Sequence, residues 1–97
     1  MIDTHCHLHH EAFDDDRAAV IDRAFAAGLT ALLEVNIDAR GWPRALAVAE
    51  ADPRVFLTAG IHPHDTPRAE VGDLEALARH LGHPKVRAVG ETGLDYF

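Results

Sequence analysis

Cysteine is scarce in this sequence: Cys6 is the single one, so no disulfide can form within the chain. Long apolar runs are missing as well, since none approaches the roughly 18 residues needed to cross a bilayer. The first residues also lack the basic region and the apolar stretch of a secretory signal. We therefore expect a soluble, cytoplasmic protein that has no membrane partner.

Positive charge is also in short supply, because 9 lysines and arginines stand against 16 aspartates and glutamates, for a formal net charge of −7. Such a chain lacks the basic face of a generic DNA-binding module. Any nucleic acid would have to bind through local cations or through bound metal. The 97 residues are nonetheless 47% hydrophobic, which is enough to bury a core, and they include eight histidines.

Two kinds of segment alternate along the chain. Short runs of β-branched and apolar residues predict four strands, at residues 1–5, 30–35, 55–60 and 86–90. Apolar residues at spacings of three and four predict three helices between them: one after the acidic triplet 14–16 that stops at Gly28, one that begins within 38–43, and one from about Asp73 to Gly82.

The order β-α-β-α-β-α-β indicates right-handed crossovers and a parallel sheet, either in a barrel or in an open doubly wound fold. The loop after the first strand, "HCHLHHEAFDDD", has no glycine-rich turn for a dinucleotide. Polar residues instead follow the strands, where a barrel builds its site: His5 and His7 after the first, His62 and His64 after the third, Glu91 after the fourth. We therefore predict an α/β fold, the N-terminal portion of a TIM (β/α)8 barrel.

Side chains alternate along a strand, so His5 and His7 share a face and can bind one ion, while Cys6 points the other way. We interpret Cys6 as a small residue packed between barrel and helices, the alternative being a nucleophile. Asp3 is two residues before His5 and so is expected on the same face of the strand. It is a candidate to orient the His5 ring through a hydrogen bond, the alternative being an aspartate that faces solvent. For His5 and His7, the alternative to metal ligands is a pair of structural histidines at a strand end.

Glu91 strengthens the case for a metal site. The strand at residues 86–90 is predicted to be buried on both faces, and a glutamate at its end would be costly to bury unless it were paired or bound to a cation. The alternative is a solvated loop glutamate. Two histidines and a carboxylate suit zinc, manganese or iron, and oxygen-rich neighbours shift the preference toward magnesium or manganese.

"GIHPH" follows the third strand, with Pro63 restricting the turn between His62 and His64. At a hydrolytic site these two histidines are candidates to bind a phosphate oxygen or to transfer a proton, the alternative being loop residues that cap backbone groups. We interpret the remaining four histidines, His9, His10, His80 and His83, as structural.

Three of these segments, "MIDTHCHL", "AGIHPHD" and "HPKVRAVGETGLDYF", closely resemble the TatD-related family of metal-dependent hydrolases, a branch of the amidohydrolase-like barrels usually described as deoxyribonucleases. The resemblance implies a TIM barrel with one or two divalent metal ions, in which His5, His7 and Glu91 are ligands and His62 and His64 line the pocket. It also implies further ligands, two histidines and an aspartate, on strands beyond Phe97. His9 and Thr92 depart from the family, which commonly has an aspartate and an aliphatic residue there.

We therefore expect residues 1–97 to be the N-terminal part of a single TIM-barrel metallohydrolase domain that cleaves phosphodiester bonds, with DNA as substrate. Metal bound by His5, His7 and Glu91 would activate water, and a second ion or His62 would neutralise charge on the phosphorus. The alternatives are a related phosphoesterase or lactonase, or a non-catalytic half-barrel that binds metal or a partner. On its own the fragment is expected to be inactive and to self-associate through its open sheet edges, with no obligate protein partner evident.

Overall fold

The computed structural model describes residues 1–93, and the last four residues of the "GETGLDYF" motif lie outside this range. The predicted alternation is confirmed, with the following bounds: β1 Ile2–Cys6, α1 Arg17–Ala26, β2 Ala31–Glu34, α2 Trp42–Ala51, β3 Val55–Ala59, α3 Val71–Leu81 and β4 Val86–Val89. Short 3-10 helices at Glu11–Phe13 and Thr66–Arg68, which the sequence did not predict, lie in the loops after β1 and β3.

The four strands form one parallel sheet in the order β1-β2-β3-β4. Consecutive strands are therefore neighbours, as in a barrel that is built one β/α unit at a time. The carboxyl ends of all four strands meet at the same edge of the sheet. Within residues 1–93, no helix is both long enough and apolar enough to span a membrane.

The core lies between one face of the sheet and the helices. Alternate residues of the central strands, Leu32 in β2 and Val55 and Leu57 in β3, pack there against Ile21 of α1 and Ala45 of α2. Trp42, at the start of α2, is also buried, at 3% exposure, and belongs to the apolar face of that helix. This packing fixes the sheet, and with it the positions at which the strands end.

The opposite face of the sheet is open. Ile2, Thr4, Leu33, Phe56 and Arg87 line a shallow depression on it. These residues have the strand parity opposite to the core residues, as the period of two dictates. In a closed barrel this face would point inward.

The prediction that residues 86–90 are buried on both faces was wrong. Val86 is half-buried, but Arg87 and Ala88 are exposed and Val89 is 62% exposed. The reason is that β4 is an edge strand of the described sheet, and that one face of this sheet is uncovered. Strand β4 is therefore apolar in sequence but exposed on one face in this structure.

Helix α1 begins directly after the acidic triplet, as predicted, whereas α3 begins earlier than expected. Asp16 is the N-cap of α1 without a side-chain cap, whereas Asp14 binds the guanidinium groups of Arg17 and Arg44. Helix α3 begins two residues before Asp73, because the Asp73 carboxylate accepts a hydrogen bond from the Glu70 backbone N–H at 3.0 Å and caps the helix there.

Candidate metal centre

His5 and His7 lie together at the carboxyl end of β1, with their ring centroids 5.1 Å apart and their planes near perpendicular. Cys6 between them faces the core, where its thiol donates to the Leu33 carbonyl at 3.4 Å. Burial, together with the nearby Glu34 carboxylate, raises the pKa of this thiol well above its usual range. A thiol held in its protonated form is a poor nucleophile and a poor metal ligand.

The His7 imidazole is oriented by the backbone of the next strand. Its Nδ1 lies 2.9 Å from the carbonyl oxygen of Val35. Because a carbonyl oxygen can only accept, Nδ1 carries the proton and donates in this contact. The lone pair is then on Nε2, which is the arrangement that metal-binding histidines commonly have.

Asp3 acts on the backbone of His5. Its carboxylate accepts a hydrogen bond from the His5 backbone N–H at 3.0 Å. The Asp3 carboxylate thus holds the main chain of His5, in a stretch where the pairing register of β1 with β2 shifts, between Asp3 and Cys6.

Glu91 completes a cluster with the two histidines. One ligand atom from each of His5, His7 and Glu91 lies within 4.8 Å of the other two, and this is the one such group of three among residues 1–93. The Glu91 Oε2 atom is 3.9 Å from His5 Nε2. Glu91 thus lies beside two histidines that are 84 or more positions earlier in the sequence, because parallel strands end at the same edge of the sheet.

Interior residues hold the backbone next to Glu91. The Thr58 hydroxyl donates to the Gly90 carbonyl oxygen at 2.6 Å, and Gly90 N–H donates to the Ala59 carbonyl at 3.0 Å. Gly60 packs so tightly against this segment that a Cβ atom there would be 2.9 Å from the Gly90 carbonyl carbon and would collide with the Glu91 carbonyl oxygen. The position of the glutamate is therefore fixed from β3.

The donor set fits a divalent ion. Two imidazoles and one carboxylate make a partial ligand shell, with coordination positions left for water or for further ligands. The contact of His7 with the Val35 carbonyl adds to this fit, because it holds the ring in place and puts the lone pair on Nε2, as in many metal-binding histidines. The assignment of His5, His7 and Glu91 as ligands stays a prediction.

His62 approaches the same cluster from the loop after β3, with its Nε2 3.9 Å from Glu91 Oε1. Its Nδ1 accepts a hydrogen bond from the His64 backbone N–H at 3.1 Å. In the neutral ring the proton therefore resides on Nε2, which can donate to an anionic oxygen. The His64 ring lies close to that of His62, with centroids 4.9 Å apart.

Three of the other four histidines have structural contacts, as interpreted from the sequence. His10 accepts from the Ala12 N–H, His80 stacks on Trp42 and His83 lies 3.3 Å from Glu50. His9 also has a structural contact, but its partner was missed: the wholly buried carboxylate of Glu34 at the end of β2. Glu34 ends the apolar run "TALLE", as Glu91 follows an apolar strand, so the same sequence pattern could have identified it.

An α/β chain with imidazoles and a carboxylate at the carboxyl ends of parallel strands has the arrangement of a metal-dependent barrel hydrolase. Over residues 2–97 the chain matches the family model described as TatD related DNase, and it belongs to this family.

Relatives and a solved structure agree with this assignment. The 3'-5' ssDNA/RNA exonuclease TatD of Enterobacter lignolyticus is 40% identical over 97 residues, and the one of Escherichia fergusonii is 36% identical over 96. Each match covers 99% of this chain and 37% of the relative. The crystal structure of YjjV, a TatD homologue from Escherichia coli, superposes with a TM-score of 0.88 at 36% identity, covering 100% of this chain and 38% of YjjV. The described fold thus matches part of a TatD-type barrel.

Proposed function

We propose that the chain is the N-terminal part of a longer TIM-barrel domain, and that the complete protein is a metal-dependent hydrolase of nucleic-acid phosphodiester bonds. The convergence of His5, His7 and Glu91 donor atoms within 4.8 Å is the observation that carries the proposal. Coverage supports the first half of it, since the chain spans 37% of the length of the exonucleases that it matches.

His5, His7 and Glu91 are the residues that would hold the ion, with Mg²⁺, Mn²⁺ or Zn²⁺ as candidates. When bound, a divalent ion at this position would lower the pKa of a water molecule enough to supply a nucleophile at neutral pH. Bound cations would also explain how a chain with a formal charge of −7 approaches a polyanion. The Val35 carbonyl holds the His7 ring in place for this role.

His62 is proposed to act on the substrate. Its Nε2–H faces the cluster, where it can donate a hydrogen bond to a phosphate oxygen whose negative charge grows during hydrolysis. His64 supports it by donating its backbone N–H to the opposite ring nitrogen. The side chain of His64 is proposed to line the same pocket.

Single-stranded DNA is the proposed substrate, because the TatD relatives are named exonucleases of single-stranded DNA and RNA. The test is to assay the complete protein with Mn²⁺ on single-stranded DNA, single-stranded RNA, phosphomonoesters and lactones. Cleavage of the polynucleotides that is lost in Glu91→Gln supports the proposal. Glu91-dependent turnover of phosphomonoesters or lactones alone would assign the alternative, a metallohydrolase of another substrate class.

A further inference from the structure

Glu34 is a buried carboxylate at the end of β2, behind the loop that leaves His7. Its side chain is 0% exposed. The Oε2 atom accepts a hydrogen bond from the Leu8 backbone N–H at 2.7 Å, and Oε1 accepts one from the His9 backbone N–H at 2.8 Å. One side chain thus binds the two backbone amides that directly follow His7.

The carboxylate is well supplied with donors. In addition to the two amides, the His9 imidazole donates through Nδ1 to Oε1. A buried carboxylate is destabilising unless its lost hydration is replaced, and charge-assisted hydrogen bonds from N–H groups are the strong replacements. Because both oxygens are engaged, the loop cannot shift without breaking one of these bonds.

The neighbouring residue holds the other parts of this segment. Val35 donates its backbone N–H to the Cys6 carbonyl at 2.8 Å, and its own carbonyl accepts from His7 Nδ1 at 2.9 Å. Glu34 and Val35 therefore contact every residue from Cys6 to His9, and His7 lies in the middle of that stretch.

We propose that Glu34 is a positioning residue for the metal site. By binding the amides of Leu8 and His9 it fixes the backbone after His7 and keeps the imidazole beside His5 and Glu91. This inference rests on the proposed function, because it takes His7 to be a ligand. Glu34 itself is not placed among the ligands, since both of its oxygens are already occupied by N–H donors.

The test compares Glu34→Gln with Glu50→Gln, which makes the same chemical change on the outer face of α2. The amide variant presents an NH₂ group to one of the backbone N–H donors, so one of the two bonds is lost. Two measurements are made on the complete, folded protein: Mn²⁺ affinity by calorimetry, and exchange of the Leu8 and His9 amide hydrogens by NMR without metal. We expect Glu34→Gln to weaken Mn²⁺ binding by about 10- to 100-fold, as for partners of metal ligands elsewhere. It should also accelerate exchange at the amide that loses its bond, with Glu50→Gln unchanged in both respects.

An unchanged Mn²⁺ affinity in folded Glu34→Gln would overturn the positioning role, even if its melting temperature fell. If Glu34→Gln does not fold, Glu34→Asp replaces it: the shorter carboxylate keeps the charge but cannot reach both amides, and unaltered affinity would again overturn the role. Failure of the wild-type protein to bind Mn²⁺ would contradict the proposed function instead. The amide exchange in wild type and variants then still decides whether Glu34 fixes this loop.

Discussion

The hydroxyl of Thr58 donates a 2.6 Å hydrogen bond to the carbonyl oxygen of Gly90, the residue that directly precedes Glu91. Thr58 is 6% exposed, and the same hydroxyl accepts a hydrogen bond from the Asn36 backbone N–H at 3.3 Å. A buried side chain of an interior strand thus fixes the backbone of a candidate ligand, as Glu34 does on the other side of the sheet.

Replacing Thr58 with valine keeps the side-chain shape and removes this hydroxyl. We expect a loss of roughly 1–3 kcal/mol in the free energy of unfolding, since buried polar groups lose a partner, together with weaker Mn²⁺ binding. Urea unfolding and metal titration measure the two effects. Thr30→Val is the matched control, because Thr30 is exposed and bonds the Met1 carbonyl at the opposite end of the sheet. Equal Mn²⁺ affinity in both variants would show that Thr58 does not position Glu91.

Gly60→Ala tests the close packing beneath Glu91. An alanine Cβ would meet the Glu91 carbonyl oxygen and the Gly90 carbonyl carbon, so the segment must move. We expect destabilisation of about 1–3 kcal/mol, as for overpacked sites, and reduced Mn²⁺ affinity. Gly72→Ala in α3 serves as the control, because a Cβ there meets nothing within 4 Å. A Gly60→Ala protein that binds metal normally would mean that Glu91 tolerates displacement or is not a ligand.

His62→Ala separates substrate binding from metal binding. In the complete enzyme we expect kcat to fall by roughly 100- to 1,000-fold, the range for losing one donor to a developing anion. Metal content should stay near normal, since Nε2 of the neutral ring carries a proton. His10→Ala, at an exposed residue of the loop after β1, is the control. If His62→Ala lost its metal along with its activity, His62 would be a ligand.

The 97 residues alone are expected to associate and to lack nuclease activity. Strands β1 and β4 are the outer strands of the described sheet, and Ile2 and Val89 are exposed at 59% and 62%. Open edges and uncovered apolar residues favour pairing between copies. Light scattering should detect dimers or larger species, and DNA cleavage should equal that of Glu91→Gln. A monomer with Glu91-dependent nuclease activity would contradict both the fragment interpretation and the need for further ligands.

Local patterns in the sequence predicted much of this architecture. The alternation of apolar strands and helices, and the shared face of His5 and His7, follow from the backbone periods alone. Glu34 was missed because its donors lie about 26 positions earlier in the chain, and its role depends on which strands become neighbours. The register shift after Asp3 and the exposure of Val89 likewise depend on pairing and on the sheet edge, neither of which is written in a local pattern.

The most direct test of the shared metal site is a Mn²⁺ and Zn²⁺ titration of the wild-type chain and of His5→Ala, His7→Ala and Glu91→Gln. The exposed-site variants His10→Ala and Glu50→Gln serve as controls for the two kinds of change. We predict one ion per wild-type chain and unchanged metal affinity in both controls. Each of the three site variants should lose more affinity than the roughly 10- to 100-fold typical of residues that only support a ligand. Equal affinity in the wild type and all three site variants would contradict a metal ion shared by His5, His7 and Glu91.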